Sequence, residues 1–271
     1  MPRNIREFHR APTSARALEL LGRVATPTAA LVPGPRLPDP LFAHAEAVVD
    51  LRALPLNNMR VEKDEIYLGA LVDLQSMVKS TTLAAVADGI LGEAAALAAH
   101  FGLRNLATIA GAIDGATDAP PGPPEVLLAL LAMGAEVTTL AHGDRRTPLV
   151  SYRPAKEDAL CEIILPIGAP MRGALARVAR SPLDQAIVAV TAAITPTRAR
   201  VAVAGAAPAA FVVEANAGTE PATTVAELVN AVAAHVAPQG DYRGSAAYRR
   251  AMAEVLARRA LTQAFSNEAN S

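Results

Sequence analysis

The sequence predicts an α+β protein of two domains, and three observations carry that prediction. Hairpin and helix signals alternate up to residue 166. The stretch from Pro166 to Pro170 interrupts them as a linker. Beyond it, four strand-like segments run consecutively and two amphipathic helices close the chain, an order that implies a separate sheet-and-helix unit. The expected units are residues 1–166, in two lobes of about 1–55 and 56–166, and residues 171–266.

The elements follow from local chemistry. Thr13 or Ser14 can cap a first helix whose apolar side is Ala17, Leu18, Leu20 and Leu21, with Gly22 and Pro27 framing its end. Ala29 to Val32 reads as a short strand that runs into the Pro33-Gly34-Pro35 loop, and Ala47 to Leu51 as a buried strand. Met59 to Leu71 reads as a hairpin turning at Lys63-Asp64, with Ile66, Leu68 and Ala70 on one face. Two helices are expected next, the second around Glu93 to Ala99 and stopped by Gly102. Residues from Thr108 to Gly115 read as a tight loop of small side chains. Pro123-Pro124-Glu125 opens a helix that ends at Gly134, because proline fits a first turn and an acid suits the positive end of the helix dipole.

Strands follow at Ala135 to Leu140, Arg146 to Leu149 and Ala159 to Leu165, with Gly143-Asp144 as a turn. In the last unit the strands are Gly173 to Arg180, Ile187 to Ile194, Arg198 to Ala204 and Ala209 to Glu214. The first closing helix carries Val225, Leu228, Val229, Val232 and Val236 as its stripe. The second is expected to bury Tyr248, Met252, Val255 and Leu256 and to keep Arg249, Arg250, Glu254 and Arg258 in water.

Composition narrows the function. The chain has 271 residues, 52% hydrophobic but only 3% aromatic, so many small side chains must pack over wide contacts. A net charge of −1 without a basic face argues against nucleic acid or an anionic membrane as partner. The single cysteine, Cys161, excludes a disulfide framework and a cysteine-held cluster on this chain alone. No apolar run reaches the length of a membrane span, and no signal core is seen, so the expectation is a cytoplasmic protein.

Most catalytic signatures are missing. Neither G-x-x-x-x-G-K-[ST] nor G-x-G-x-x-G nor G-x-S-x-G occurs, and the five histidines share no ligand spacing. No catalytic side chain and no metal ligand is assigned. Asp114 and Asp118 are close in sequence and read either as an acid–base pair or, more commonly for such residues, as loop-solvating acids. What remains is backbone chemistry. The run Thr108-Ile109-Ala110-Gly111 allows main-chain N–H groups to approach a phosphate, with the Thr108 hydroxyl as a further donor. The alternative is that these small residues only let a turn pack closely on a helix.

Two segments raise the specificity of this reading. Leu103 to Ala112 resembles the motif R-N-x-A-T-I-G-G-N through Arg104, Asn105, Ala107, Thr108, Ile109 and Gly111, with Ala110 for the first glycine and Ala112 for asparagine. Asp241-Tyr242-Arg243-Gly244-Ser245-Ala246-Ala247-Tyr248-Arg249-Arg250 resembles D-x-R-G-S-A-x-Y-R-R. Ile66 to Leu74 and Glu162 to Pro166 add weaker matches, so the likeness runs from about Phe8 to Ala264. In this order the segments resemble the FAD-binding (medium) subunit of the molybdenum hydroxylases, of the carbon monoxide dehydrogenase and xanthine dehydrogenase type.

That resemblance implies a two-lobed FAD-binding domain followed by a smaller C-terminal domain of antiparallel sheet and helices. It implies an electron-transfer subunit with FAD as cofactor. Electrons would come from a molybdenum cofactor on a large subunit through [2Fe–2S] clusters on a small subunit and leave to an external acceptor, in a dimer of heterotrimers. The cofactor-binding residues it implies are Gly34, Arg36, Thr108, Ile109, Ala110, Gly111, Leu160 and Arg177, with Ala176 as the ungapped alternative to Arg177.

The chain also departs from the pattern. Where the family has A-G-G-[TH]-[DS], it reads Val32-Pro33-Gly34-Pro35-Arg36, and the two prolines remove two N–H donors. Charge-assisted hydrogen bonds contribute roughly 1.5–3 kcal/mol each, so the loss is large unless Arg36 pairs with phosphate directly. Pro121 stands where the family often has an aspartate. A rival reading is therefore a structural subunit of the same kind of complex that has lost FAD. A third is an unrelated α+β protein that takes another phosphate-bearing ligand.

Overall fold

The computed structural model describes residues 5–35, 45–117, 123–182, 184–218 and 220–268. Its first lobe is a three-stranded parallel sheet in the order β1-β3-β2, made of β1 (Glu7–Arg10), β2 (Thr28–Ala30) and β3 (Ala47–Asp50). Helix α1 (Ser14–Leu21) connects β1 to β2. The Thr13 side chain accepts a hydrogen bond from Arg16 N at its start, and Gly22 ends it.

The second lobe is built on a five-stranded sheet ordered β4-β5-β8-β6-β7. Its strands are β4 (Met59–Glu62), β5 (Glu65–Gly69), β6 (Glu136–Thr139), β7 (Thr147–Pro148) and β8 (Leu160–Pro166). Lys63, at φ 53°, turns the first hairpin. The helices of this lobe are α2 (Leu74–Lys79), α3 (Thr81–Ala84), α4 (Ile90–Ala98), α5 (Phe101–Arg104), α6 (Ile109–Thr117) and α7 (Glu125–Met133). All nine residues of α7 are buried. Its sequence is apolar all round after Glu125, the pattern of a helix enclosed on every side.

The C-terminal part is a four-stranded antiparallel sheet, β12-β11-β10-β9. Here β9 is Arg172–Val178, β10 Val188–Ile194, β11 Arg198–Ala204 and β12 Phe211–Asn216. Helix α8 (Pro221–His235) and helix α9 (Ala246–Glu268) cover one face, with Val190, Val201, Val203, Leu228, Val232, Leu256 and Leu261 in the core between. The opposite face meets α7, and Ala189, Ala193 and Ala202 join the large core of the first part. Strand β10 is therefore buried along its whole length, and its continuous apolar run reflects burial on two faces. The small side chains of Ala189 and Ala193 let α7 lie close to the sheet.

Four expectations need correction. Gly102 does not stop the preceding helix, because α4 ends at Ala98 and Gly102 lies inside the short α5. The Thr108–Gly115 stretch is helix from Ile109 onward, and Asp114 stands on α6 where its carboxylate accepts from the Tyr152 hydroxyl at 3.2 Å. Asp118 and Pro121 lie outside the described residues. On α9 the stripe is shifted: Val255 is 46% exposed and Tyr248 is exposed, while Arg249 and a row of Ala253, Ala257, Ala260 and Ala264 are buried with Leu256 and Leu261. Strand β1 was not expected at all.

Charged side chains fasten the sheet edges. Arg146 pairs with Glu65, whose carboxylate also accepts from the Tyr67 hydroxyl, and Arg60 and Arg146 both lie over the Tyr67 ring. The Arg146 guanidinium, then Tyr67, hold the Glu65 carboxyl down at about 2; Arg23, then His9, do the same to Glu7. A lowered carboxylate stabilises the fold above its ordinary value of 4.5 and loses that effect as pH falls toward about 2. Glu93 and Glu125, raised by burial, act with the opposite sign. The urea midpoint of the wild type should therefore fall over this acid interval more than that of Glu65→Gln. Equal slopes for the two proteins would contradict the assignment.

Candidate functional site

Three chain segments meet where the first two lobes join. The first is the 32–35 loop after β2, in which Val32, Gly34 and Pro35 are buried. The second is the turn from Gly69 to Val72 between β5 and α2. The third is Ala107 to Ala112, which opens α6. Thr108 N donates to Pro33 O at 2.8 Å, and the Thr108 hydroxyl donates to the same carbonyl at 3.3 Å. Ile109 N donates to Val72 O at 2.9 Å and Ala110 N to Ala70 O at 3.1 Å. Gly111 N donates to Thr108 Oγ1 at 3.1 Å, and Ala112 N to Thr108 O at 2.9 Å. Every main-chain N–H from Thr108 to Ala112 thus has a partner inside the protein.

Gly111 is needed for contact with the chain itself. A Cβ built on it would stand 2.2 Å from Pro33 O and 2.5 Å from Val32 O. The small residue lets the 32–35 backbone lie directly on the first turn of α6, which is the turn-on-helix packing left open as the alternative. Two carbonyl oxygens occupy the space facing Gly111.

The rest of this motif serves the fold. Arg104 donates from Nε to Gln75 Oε1 at 2.9 Å and from Nη1 to the carbonyls of Ala96 and Ala99, closing the end of α4. Asn105 Nδ2 donates to Phe101 O at 2.7 Å and closes α5. Asp73 caps α2 through Ser76 N at 2.8 Å, and Leu74 N donates to Ala107 O at 2.9 Å.

Leu160 is buried at the start of β8, and its neighbour Cys161 accepts at O from Ala70 N, the residue whose own carbonyl accepts from Ala110 N. The convergence therefore includes Gly34, Thr108, Ile109, Ala110, Gly111 and Leu160. Burial pushes the Cys161 thiol up to about 12, so it is protonated and unreactive at neutral pH.

Arg177 is engaged elsewhere. From β9 its guanidinium donates to Pro182 O and Asp184 O, and its Nε lies 3.2 Å from Glu125 Oε1. Glu125 is 0% exposed, and neither carboxylate oxygen has an aligned hydrogen-bond donor. Burial raises its carboxyl, against the lowering effect of Arg177. Composition and periodicity gave no sign of this pair: Glu125 reads as a first-turn acid and Arg177 as a strand residue. Arg36 lies outside the described residues.

The C-terminal motif is a clamp. The Asp241 carboxylate accepts from Arg243 N at 2.8 Å and Arg249 Nη2 at 2.7 Å, and Arg249 Nη1 donates to Ile187 O and Gly205 O at 2.5 and 3.0 Å. Burial, which alone would raise the Asp241 carboxyl, is outweighed by Arg249 and Arg243, so it stays well below the usual carboxylate range. Gly205, at φ +81°, brings its backbone within reach of this arginine. Beside the clamp, a crevice of about 440 Å³ separates Leu127, Leu131 and Tyr152 from Ile187, Gly205 and Arg249. None of the described flavin-motif residues lines it. Among the described residues no cluster of histidine, cysteine and acids has a metal-holding arrangement, and no helix is long and apolar enough to cross a membrane.

Residues 4–170 match the family described as the FAD binding domain in molybdopterin dehydrogenase, and the chain belongs to that family. It is 28% identical over 284 residues to the carbon monoxide dehydrogenase medium chain of Hydrogenophaga pseudoflava, spanning 96% of this chain and 97% of the relative. The fold matches a chain of the carbon monoxide dehydrogenase structure from the same organism with TM-score 0.84 and 23% identity, over 98% and 99% of the two chains. It matches quinoline 2-oxidoreductase from Pseudomonas putida 86 with TM-score 0.78 and 21% identity, over 96% and 97%. The architecture is thus a two-lobed FAD-binding domain of the molybdopterin dehydrogenase type followed by a smaller sheet-and-helix domain.

The described residues can be tested against the pyrophosphate of FAD. A dinucleotide grip needs unengaged N–H donors at a close-packed bend. Here Pro33 and Pro35 have none, the donors from Thr108 to Ala112 are engaged, and the space at Gly111 is lined by carbonyl oxygen. These bends do not fit the group.

Proposed function

We propose that this chain is the medium subunit of a heteromeric molybdenum-containing hydroxylase or dehydrogenase. It works beside a large subunit that carries the molybdenum cofactor and a small subunit that carries [2Fe–2S] clusters, in a dimer of heterotrimers. One observation carries the reading: the likeness to a single chain of a multi-chain oxidoreductase extends end to end, through both domains and the Asp241–Arg249 clamp. Substrate oxidation belongs to the partners, and no side chain here is assigned a bond-making role.

Two forms of this reading differ in the flavin. The electron-carrying form, in which FAD relays electrons from the clusters to an external acceptor, is favoured by the convergence of the 32–35 loop, Thr108–Gly111 and Leu160. The scaffold form, in which the subunit keeps its docking role without FAD, is favoured by the engaged amides.

Co-expression of this chain, tagged, with the molybdenum and iron–sulfur subunits of the same source tests membership. Native mass spectrometry should show the three chains in equal number. Recovery of a stable lone chain that binds neither subunit would overturn the proposal.

A further inference from the structure

We infer that the pyrophosphate site of this subunit is closed by its own backbone, so that the subunit assembles without retaining FAD and acts as a scaffold; the inference rests on the medium-subunit reading above. Four features converge on it. Pro33 and Pro35 remove two amide donors from the first bend. The five successive amides from Thr108 to Ala112 all donate within the protein. The Thr108 hydroxyl, the side-chain donor that lies among these amides, donates to Pro33 O and accepts from Gly111 N. Val32 O and Pro33 O face Gly111 from distances that leave no room for another group, and a carbonyl oxygen repels an anion.

These features act together. Admitting a phosphate between the bends requires breaking both Thr108 bonds to Pro33, and the exposed surface would then present carbonyl oxygens and proline rings. Arg177 cannot supply a compensating cation without leaving the buried carboxylate of Glu125 unpaired. Two missing charge-assisted hydrogen bonds alone weaken binding by about 10²- to 10⁴-fold.

The experiment uses the three-subunit complex, purified with FAD present and then passed through a desalting column. FAD is released by acid and quantified by chromatography against the chain. The expected result is a stoichiometric complex with FAD far below one per medium chain. A variant with Pro33→Gly and Pro35→Thr, which restores two amides and frees the 32–35 backbone from the fixed φ of proline so that it can turn off Gly111, should take up FAD about 10²- to 10⁴-fold more tightly. An assembled wild-type complex with one FAD per chain would overturn the inference and leave the subunit reading standing. The same holds if the two-proline variant assembles and gains no FAD affinity. Failure of the three chains to assemble would overturn the subunit reading and the inference with it.

Discussion

Gly111→Val should unfold the junction of the two lobes at lower temperature, in protein that contains no flavin. The added Cβ would meet Pro33 O at 2.2 Å, and both partners in that clash are backbone, so neither can rotate away. Overpacking of this kind costs typically 1–3 kcal/mol and more against fixed backbone; about 3 kcal/mol corresponds to a fall in Tm of roughly 6–12 °C for a domain of this size. Gly111→Ala meets the same contact and should show most of the loss, whereas a phosphate-shaped gap would accommodate alanine. A calorimetric Tm for Gly111→Ala equal to that of the wild type would mean that the 32–35 loop does not rest on α6.

Arg249→Leu should destabilise the C-terminal domain by about 3–5 kcal/mol, the usual cost of removing one partner from a buried charged network. Arg249 is 4% exposed, and its guanidinium serves Ile187 O, Gly205 O, Gly244 O and Asp241 at once. Leucine fills some of the volume but leaves the carbonyls at the ends of β10 and β11 without a donor. Arg249→Lys should recover only part of the loss, because an ammonium cannot reach the four acceptors in the fork geometry of arginine. Arg250→Leu, on the exposed side of the same helix, is the control and should be close to neutral. Equal chemical-denaturation midpoints for Arg249→Leu and Arg250→Leu would contradict the clamp.

The contrast between these two arginines also shows how far the chain could be read before folding. Elements with strong local signals were legible: the Thr13 cap and Gly22 stop of α1, the Lys63–Asp64 hairpin, the Pro-Pro-Glu start and Gly134 end of α7, and the order of strands and helices after Pro170. Each rests on residues within a turn or two of one another. Strand β1 was missed because Glu-Phe-His-Arg has no apolar run and exists through parallel pairing with β3, some forty residues away. On α9, a stripe sought among large side chains pointed to Tyr248 and Val255, while alanines make the actual contact and an arginine is buried through partners contributed by β10, β11 and the 241–244 turn.

The candidate site shows the same limit more sharply. The motif Arg104-Asn105-x-Ala107-Thr108-Ile109 singled out one segment, and the structure brings that segment against the 32–35 loop and near Leu160. A sequence cannot say where an amide points. That Thr108 faces Pro33 O, that Ile109 faces Val72 O and that Gly111 accommodates backbone are tertiary facts. The ion pair of Glu125 with Arg177 joins residues 52 positions apart and was equally invisible.

Amide hydrogen exchange at residues 108–112, resolved by NMR or by fragmentation mass spectrometry, addresses the closed bends most directly. With each N–H held by a protein acceptor, Thr108, Ile109, Ala110 and Gly111 should exchange slowly in flavin-free protein and unchanged after FAD is added. Fast exchange at these positions, with protection appearing only when FAD is present, would mean that the bends are open and that the nucleotide supplies the missing acceptors.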